Sequence, residues 1–363
     1  MAATLKDVAT LAGVSIKTVS NVVNEYPYVS PSTRERVQTA IESLGYRPNL
    51  PARRLRQAHV GVGVLALAIP DLANTYFSDI GNAVIAAAAA HSYTVLLDHT
   101  NGLRANEAVV ANGLRPHLID GVILNPLALT RDDLLPQHVG VPLVLLGERL
   151  FGAPWDHVVI DNVAAAEVAT EHLITLGRRR IAVIGLQTAD YGSGQLRLQG
   201  YTQALTRAEL EAHPELAMEA RTYHRKDGAE AMHRLLAVRP LPDALFCFND
   251  LLALGAMRVL HERGVRIPDD IAVVGFDDIE ECLFATPSLT TMAPHKKQIA
   301  DMAVSLLLQR IDGTHTGPPE RVQPPFRLCV RESTGGMSAR SKTSFEHADE
   351  QVRRPHRQTP PAG

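Results

Sequence analysis

From residue 60 to about residue 311 the chain alternates short β-branched apolar runs with longer stretches of helical period. The runs expected as strands are Val60–Ile69, Thr94–Asp98, Gly121–Asn125, Leu143–Leu146, Val158–Ile160, Ile181–Ile184, Ala244–Phe248 and Ile271–Phe276. Between and after them, residues 77–91, 164–176, 196–207, 228–237, 251–263 and 297–310 read as helices, with Gly177 and Gly264 at C-cap positions. Alternation of this kind builds parallel sheets covered by helices on both faces. The pattern starts afresh near Asp161, so two similar lobes with a cleft between them are expected. In open parallel sheets ligands bind beyond the carboxyl ends of the strands.

Several polar residues fall at those ends. Asp71 follows the first strand, Arg149 the fourth, Asp161 the fifth, Asn249 and Asp250 the Phe248 run, and Asp277 and Asp278 the Phe276 run. Arg197 opens a helix after Gly192-Ser193-Gly194. Carboxylates, an amide and guanidinium groups converging on a cleft suit a polyhydroxyl ligand, because each pairs with adjacent hydroxyls. The same Asp and Asn residues are equally suited to capping the helices that follow, Asp250 more so than the rest.

The first 59 residues are different in kind. They carry eight basic side chains (Lys6, Lys17, Arg34, Arg36, Arg47, Arg53, Arg54, Arg56) against Asp7, Glu25, Glu35 and Glu42, whereas the rest of the chain holds 28 basic and 35 acidic residues. A basic head on an acidic body is built to meet a polyanion. Thr4-Leu5-Lys6-Asp7 fits a capping box opening a helix with Leu5, Val8, Ala9 and Ala12 on one face, stopped by Gly13. Ser15 caps a second helix from Ile16 to Val23, and Ser30-Pro31 opens a third that ends at Gly45. Two helices joined by a Gly-containing turn form the helix-turn-helix pattern, although any small helical bundle shares it; the basic charge favours DNA binding. The connector from Arg47 to Arg56 is basic with an apolar Leu55. It suits a minor-groove wedge that folds on contact, and equally a solvated linker.

Other classes are argued against. Gly61-Val62-Gly63-Val64-Leu65-Ala66 matches G-x-G-x-x-A, but a dinucleotide fingerprint follows its strand, whereas these glycines begin one. No phosphate-binding loop, zinc-protease motif or hydrolase elbow occurs, the fifteen His lack metal-site spacing, and His117, His172 and His233 read as surface or helix residues. No catalytic group, cofactor or metal is expected. Cys247, Cys282 and Cys329 form no CxxC pair, and the N-terminus lacks a signal peptide's apolar core, so a cytoplasmic protein is expected, without a membrane span.

These residues resemble the lactose/galactose repressor (LacI/GalR) family. The resemblance runs through Thr4-Leu5-Lys6-Asp7-Val8-Ala9, Ala12-Gly13-Val14-Ser15, Thr18-Val19-Ser20, Val23-Asn24, Gly45-Tyr46-Arg47-Pro48-Asn49, Ile69-Pro70-Asp71, Tyr76-Phe77, Asp161-Asn162, Asn249-Asp250, Val274-Gly275-Phe276-Asp277-Asp278 and Arg331-Glu332-Ser333-Thr334. It spans roughly residues 4–335. It implies a helix-turn-helix headpiece over 1–48, a hinge helix over 49–59, and a two-lobed periplasmic-binding-protein-like α/β domain over 60–335. The chain would cross three times between lobes, giving about 60–160 plus 290–320 and 162–288 plus 322–335. Residues 336–363 lack apolar periodicity and read as a disordered tail without a tetramer-forming heptad.

The resemblance also implies roles. Ile16, Lys17 and Asn21 stand where major-groove bases are read; Lys17 can donate to guanine and Asn21 to adenine, and Ile16 can meet a thymine methyl. Thr4, Ser15, Thr18, Ser20, Tyr28 and Thr33 are placed at the DNA, mainly on phosphates. Ala52, Leu55 and Arg56 belong to the hinge, Leu55 as the minor-groove wedge, with Pro51 unusual at its start. Asp71, Arg149, Asp161, Arg197, Asn249 and Asp277 are the effector-site matches, and Gly147-Glu148-Arg149 departs from the commoner Asp-Arg pairing there. The expected protein is a homodimeric repressor of a near-palindromic operator, controlled by a small molecule, a sugar by the family's commoner habit. The alternative is a sugar-binding protein without DNA activity.

Overall fold

The computed structural model describes residues 3–23, 26, 28–46, 62–112, 118–133, 141–150, 152–187 and 192–335. The expected hinge and the expected tail lie outside these residues, so Ala52, Leu55 and Arg56 are not placed. The chain separates into two compact units, Met1–Gly63 and Val64–Gly363.

The first unit holds three helices: α1 (Leu5–Ala12), α2 (Ile16–Val23) and α3 (Pro31–Leu44). The capping box forms as read: the Thr4 hydroxyl accepts from Asp7 N at 3.3 Å, and Asp7 Oδ2 accepts from Thr4 N at 2.8 Å. The Thr4 hydroxyl also donates to Asp7 Oδ2 at 2.7 Å, and this bond, with the one from Thr4 N, holds the Asp7 carboxyl below its usual range. Gly13 stops α1 at φ 62°, a left-handed conformation that costs glycine nothing. The core is small and made of Val8, Ala9, Ala12, Val19, Val22, Val37 and Ala40.

The second unit contains two sheets. The first has strand order β11-β5-β4-β3-β1-β2, from β1 (Val64–Ile69), β2 (Thr94–His99), β3 (Gly121–Leu124), β4 (Leu143–Leu146), β5 (Asp156–Val158) and β11 (Arg321–Val322), all parallel. The second has order β12-β10-β9-β8-β6-β7, from β6 (Ile181–Leu186), β7 (Ala217–Glu219), β8 (Ala244–Cys247), β9 (Ala272–Phe276), β10 (Thr290–Pro294) and β12 (Phe326–Cys329). Only β12 runs antiparallel, at an edge. The helices between strands are α4 (Thr75–Ala89), α5 (Arg104–Ala111), α6 (Asn162–Thr175), α7 (Ser193–Arg207), α8 (Arg225–Leu235), α9 (Asp250–Glu262), α10 (Glu281–Phe284) and α11 (Lys296–Ile311). One continuous apolar core runs through both sheets, from Leu65, Ile69 and Ile123 to Phe246, Phe276 and Met292.

Three expectations are corrected. The fifth strand is Asp156–Val158, two residues earlier than read, so Asp161 does not end it but caps α6. The second crossing lies after Pro294 rather than before residue 290: β10 pairs with β9 in the second sheet, and α11 packs on α4 and the first sheet. The third lies between β11 and β12, one strand in each sheet. Segments this short carry no periodic signal, and only their hydrogen-bonded partners assign them to a lobe. Helix α5 has no counterpart among the expected helices; its apolar residues are three alanines and two valines. The first strand begins at Val64 rather than at Val60, so Gly63, at φ 69°, precedes β1 instead of lying on it or following it, and Gly61 lies outside the described residues.

Candidate DNA interface and ligand cavity

In the headpiece, α2 turns two opposite faces outward and inward. Val19 and Val22 are buried, whereas Ile16 is 46% exposed and Lys17 is exposed, with Ser20 and Asn21 half-buried on the same side. Positions i, i+1, i+4 and i+5 share one face of a helix, so Ile16, Lys17, Ser20 and Asn21 lie together on the outward face of α2. Ser15 caps the helix, its hydroxyl accepting from Thr18 N at 3.0 Å and meeting the Thr18 hydroxyl at 2.9 Å. The Thr33 hydroxyl is likewise held by Ser30 at 2.9 Å. The hydroxyls of Thr4, Ser15, Thr18 and Thr33 therefore hold helix ends in place. Tyr28 stands out from the surface, its ring edge-on to Tyr26 at 5.8 Å.

The second unit contains a cavity of ≈ 530 Å³ between the carboxyl ends of the two sheets. Asp71, Arg149, Arg197, Asn249 and Asp277 all line it, so chain segments 206 residues apart in sequence meet there. Asp161 does not: its carboxylate accepts from Ala164 N at 3.0 Å, the capping role that the residue type equally allowed. Asn249 does both. Its Oδ1 caps α9 through Leu252 N at 2.9 Å while its amide donates to the Tyr223 carbonyl at 3.0 Å. Asp250 is wholly buried behind the wall, bonded to the Thr291 hydroxyl at 2.6 Å and to Ile279 N.

Arg197 is the buried cation of this cavity. Its Nε donates to Asn162 Oδ1 at 2.7 Å, its Nη1 to the Phe248 carbonyl, and its guanidinium lies 3.5 Å from the centre of the Phe276 ring. Asp277 holds a positive φ of 117° beside it, strained for a residue with a side chain. Burial pushes the Asp277 carboxyl up to about 8, against the pull of Arg197. Burial also raises Glu148, whose Oε1 accepts from Ile160 N at 2.9 Å. Burial thus favours the protonated form of Asp277, which can donate a hydrogen bond as well as accept one. The buried phenols of Tyr76 and Tyr223 are raised as well and remain donors. At the cavity's edge Asp71 Oδ2 meets His224 Nε2 at 2.7 Å, joining the first lobe to the second.

Sequence reasoning missed Tyr76, Phe77, Asn125 and Tyr223 as cavity walls, and passed over Glu148 as a lining group. Glu148 carried a signal, since a carboxylate directly after the fourth strand falls where ligands bind. Tyr223 carried none: it comes from an irregular loop, at φ 58°. Among the described residues no group of His, Cys, Asp and Glu could hold a metal ion, and no helix is long and apolar enough to cross a membrane.

A three-helix headpiece, followed by a two-sheet domain around a cavity lined by charged and aromatic residues, has the organisation of a DNA-binding regulator with a ligand-binding domain. Comparison with known proteins agrees. Residues 4–49 match the bacterial regulatory proteins of the lacI family, and residues 170–334 match the periplasmic binding protein-like domain. The HTH-type transcriptional repressor PurR of Haemophilus influenzae (strain PittEE) is 33% identical over 340 residues, covering 91% of this chain and 98% of that protein. The Lac repressor dimer bound to operator and the anti-inducer ONPF superposes with a TM-score of 0.76 at 29% identity, over 92% of this chain and 99% of that one. A transcriptional regulator CelR–cellobiose complex gives 0.67 at 35% identity, over 91% and 99%. The chain belongs to the LacI family: it is a DNA-binding transcriptional repressor with a ligand-binding domain, and its relatives PurR and the Lac repressor are repressors, not enzymes.

Proposed function

We propose that this repressor binds a near-palindromic operator as a homodimer and that its effector is an uncharged sugar. The observation that carries the effector class is the bonding state of Arg197. The buried cation of the cavity already donates to Asn162 and Phe248 and stacks on Phe276, and the carboxyls of Asp277 and Glu148 stand nearby. With Arg197 already committed, Asp277, Tyr76 and Tyr223 add hydroxyl donors and Glu148 and Asp71 add acceptors, a mixture that suits a neutral ligand. A polyol matches mixed donors and acceptors, and Tyr76, Phe77 and Tyr223 supply flat apolar faces for sugar rings. The CelR relative, solved with cellobiose, supports the same class.

The dimer reading rests on an unpaired edge. Strand β2 ends its sheet with Leu96 and Leu97 47% and 49% exposed, and Ile85 of the adjoining α4 is also exposed. An apolar edge strand left in water invites pairing, and a second copy covers it by two-fold symmetry. The Lac repressor supports this, being a dimer on its operator. In the dimer, α2 of each headpiece enters the major groove with Ile16, Lys17 and Asn21 at the bases, while Ser15, Ser20 and Tyr28 meet phosphates. Effector binding shifts the equilibrium between lobe arrangements and changes operator affinity through a coupling of about 1–3 kcal/mol.

The experiment is fluorescence-anisotropy binding to promoter fragments over a salt series, with cellobiose, glucose, glucose 6-phosphate and adenine each added in turn. Salt-sensitive binding to a palindromic fragment, altered by a neutral sugar alone, is expected. A response to the phosphate or the nucleobase alone would overturn the effector class and leave the repressor standing.

A further inference from the structure

The cavity wall between Asn125 and Leu127 belongs to a loop with no regular hydrogen bonding of its own, and Glu107 on α5 holds it. Glu107 is wholly buried, and it does not itself line the cavity. A carboxylate withdrawn from water persists only where other donors replace its hydration. Here they are three successive backbone amides: Leu127 N donates to Oε1 at 2.8 Å, and Ala128 N and Leu129 N donate to Oε2 at 2.9 and 2.8 Å. Such a run of amides forms a nest for one anion.

The same helix holds the far end of the loop. Arg104, one turn before Glu107, donates from Nε to both oxygens of Asp133 at 2.8 Å, and Asp133 in turn accepts from Thr130 N at 2.8 Å. With three amides turned toward α5, the Leu129 carbonyl is left facing Arg149, whose Nε donates to it at 3.3 Å. Arg149, Pro126 and Leu127 all line the cavity.

We infer that Glu107 is a positioning residue for ligand binding: it presets the Pro126–Leu127 wall and the anchor of Arg149. This inference rests on the cavity being the effector site. Removing a preset wall makes the ligand order the loop itself, so affinity falls while the contacts available stay the same.

The test uses the full-length protein with Glu107→Gln, which keeps the shape but replaces an acceptor by a donor, and with Glu107→Asp, which keeps the charge but shortens the reach. Two readouts are taken: hydrogen exchange of residues 125–130 without ligand, and calorimetric titration with cellobiose. Faster exchange in that loop, cellobiose affinity about tenfold weaker in both variants, and operator affinity unchanged are expected. Unchanged loop exchange in a folded variant, or unchanged cellobiose affinity beside a loosened loop, would overturn the inference. If Glu107→Gln does not fold, the aspartate variant decides on the same two readouts. If the wild type itself ignores cellobiose, the disaccharide probe fails as effector, and loop exchange alone decides whether Glu107 sets the wall.

Discussion

At the scale of single residues, each functional side chain is defined by what already holds it. Lys17 projects from α2 beside Ile16, so its ammonium is available to a base edge. Lys17→Ala should cost about 1–3 kcal/mol and flatten preference at one operator position. Binding profiles across single-base operator variants check this, and an unaltered profile would reduce Lys17 to a general charge. Arg197 is fixed from two sides before any ligand arrives. Arg197→Ala should abolish the effector response while operator binding without effector persists, read by anisotropy with the responding sugar. Asp277 gives a pH prediction. Burial raises its folded carboxyl to about 8, above the roughly 3.9 of an unfolded aspartate, so the native state is expected to keep a proton that the unfolded chain has lost. Its contribution to stability therefore falls as pH rises from about 4 through about 8. Thermal unfolding midpoints should drop across the upper part of that window in the wild type and drop less in Asp277→Asn. Equal slopes would mean that Asp277 is ionised in the native protein.

At the scale of elements, the local rules that formed the helices also set their weak points. The capping box at Thr4 satisfies amides of α1, and the headpiece has only a small core to compensate for its loss. Thr4→Ala should lower headpiece stability by about 1 kcal/mol, measured as its melting in circular dichroism. Helices α6 and α7 meet at Gly200, where an added Cβ would lie 2.2 Å from the Val163 carbonyl oxygen. No backbone can yield that far cheaply. Gly200→Ala should destabilise the ligand-binding unit by about 1–3 kcal/mol or more and shift Asn162, at the start of α6, together with its bond to Arg197. Denaturant midpoints check the first part, and sugar affinity in the folded variant checks the second.

At the scale of the whole molecule, the proposed dimer is what would present two headpieces to one operator. Leu97→Lys places a charge on the exposed edge of β2. It should dissociate the dimer in sedimentation and weaken operator binding at least tenfold, because a monomer engages one half-site and loses the gain of joined binding. A dimer that survives this change would place the interface elsewhere.

Much of this was legible from residues alone. Caps at Thr4, Ser15 and Ser30, the period of α2 and the strand runs depend on neighbours within a turn or a pleat, so the chain's order carries them directly. Five of the six expected cavity residues line it: Asp71, Arg149, Asn249 and Asp277 because strand ends in a parallel sheet gather at one edge, and Arg197 from the start of α7. What only the tertiary structure decided was long-range partnership. Whether Asp161 faces a ligand or an amide depends on where β5 stops. Which lobe owns β10 or β11 depends on the strand beside it, and Tyr223 and Glu107 matter through residues 26 and 20 positions away. Local sequence sets the conformation a segment prefers; burial and hydrogen-bond partners, which come from distant parts of the chain, set what its side chains do.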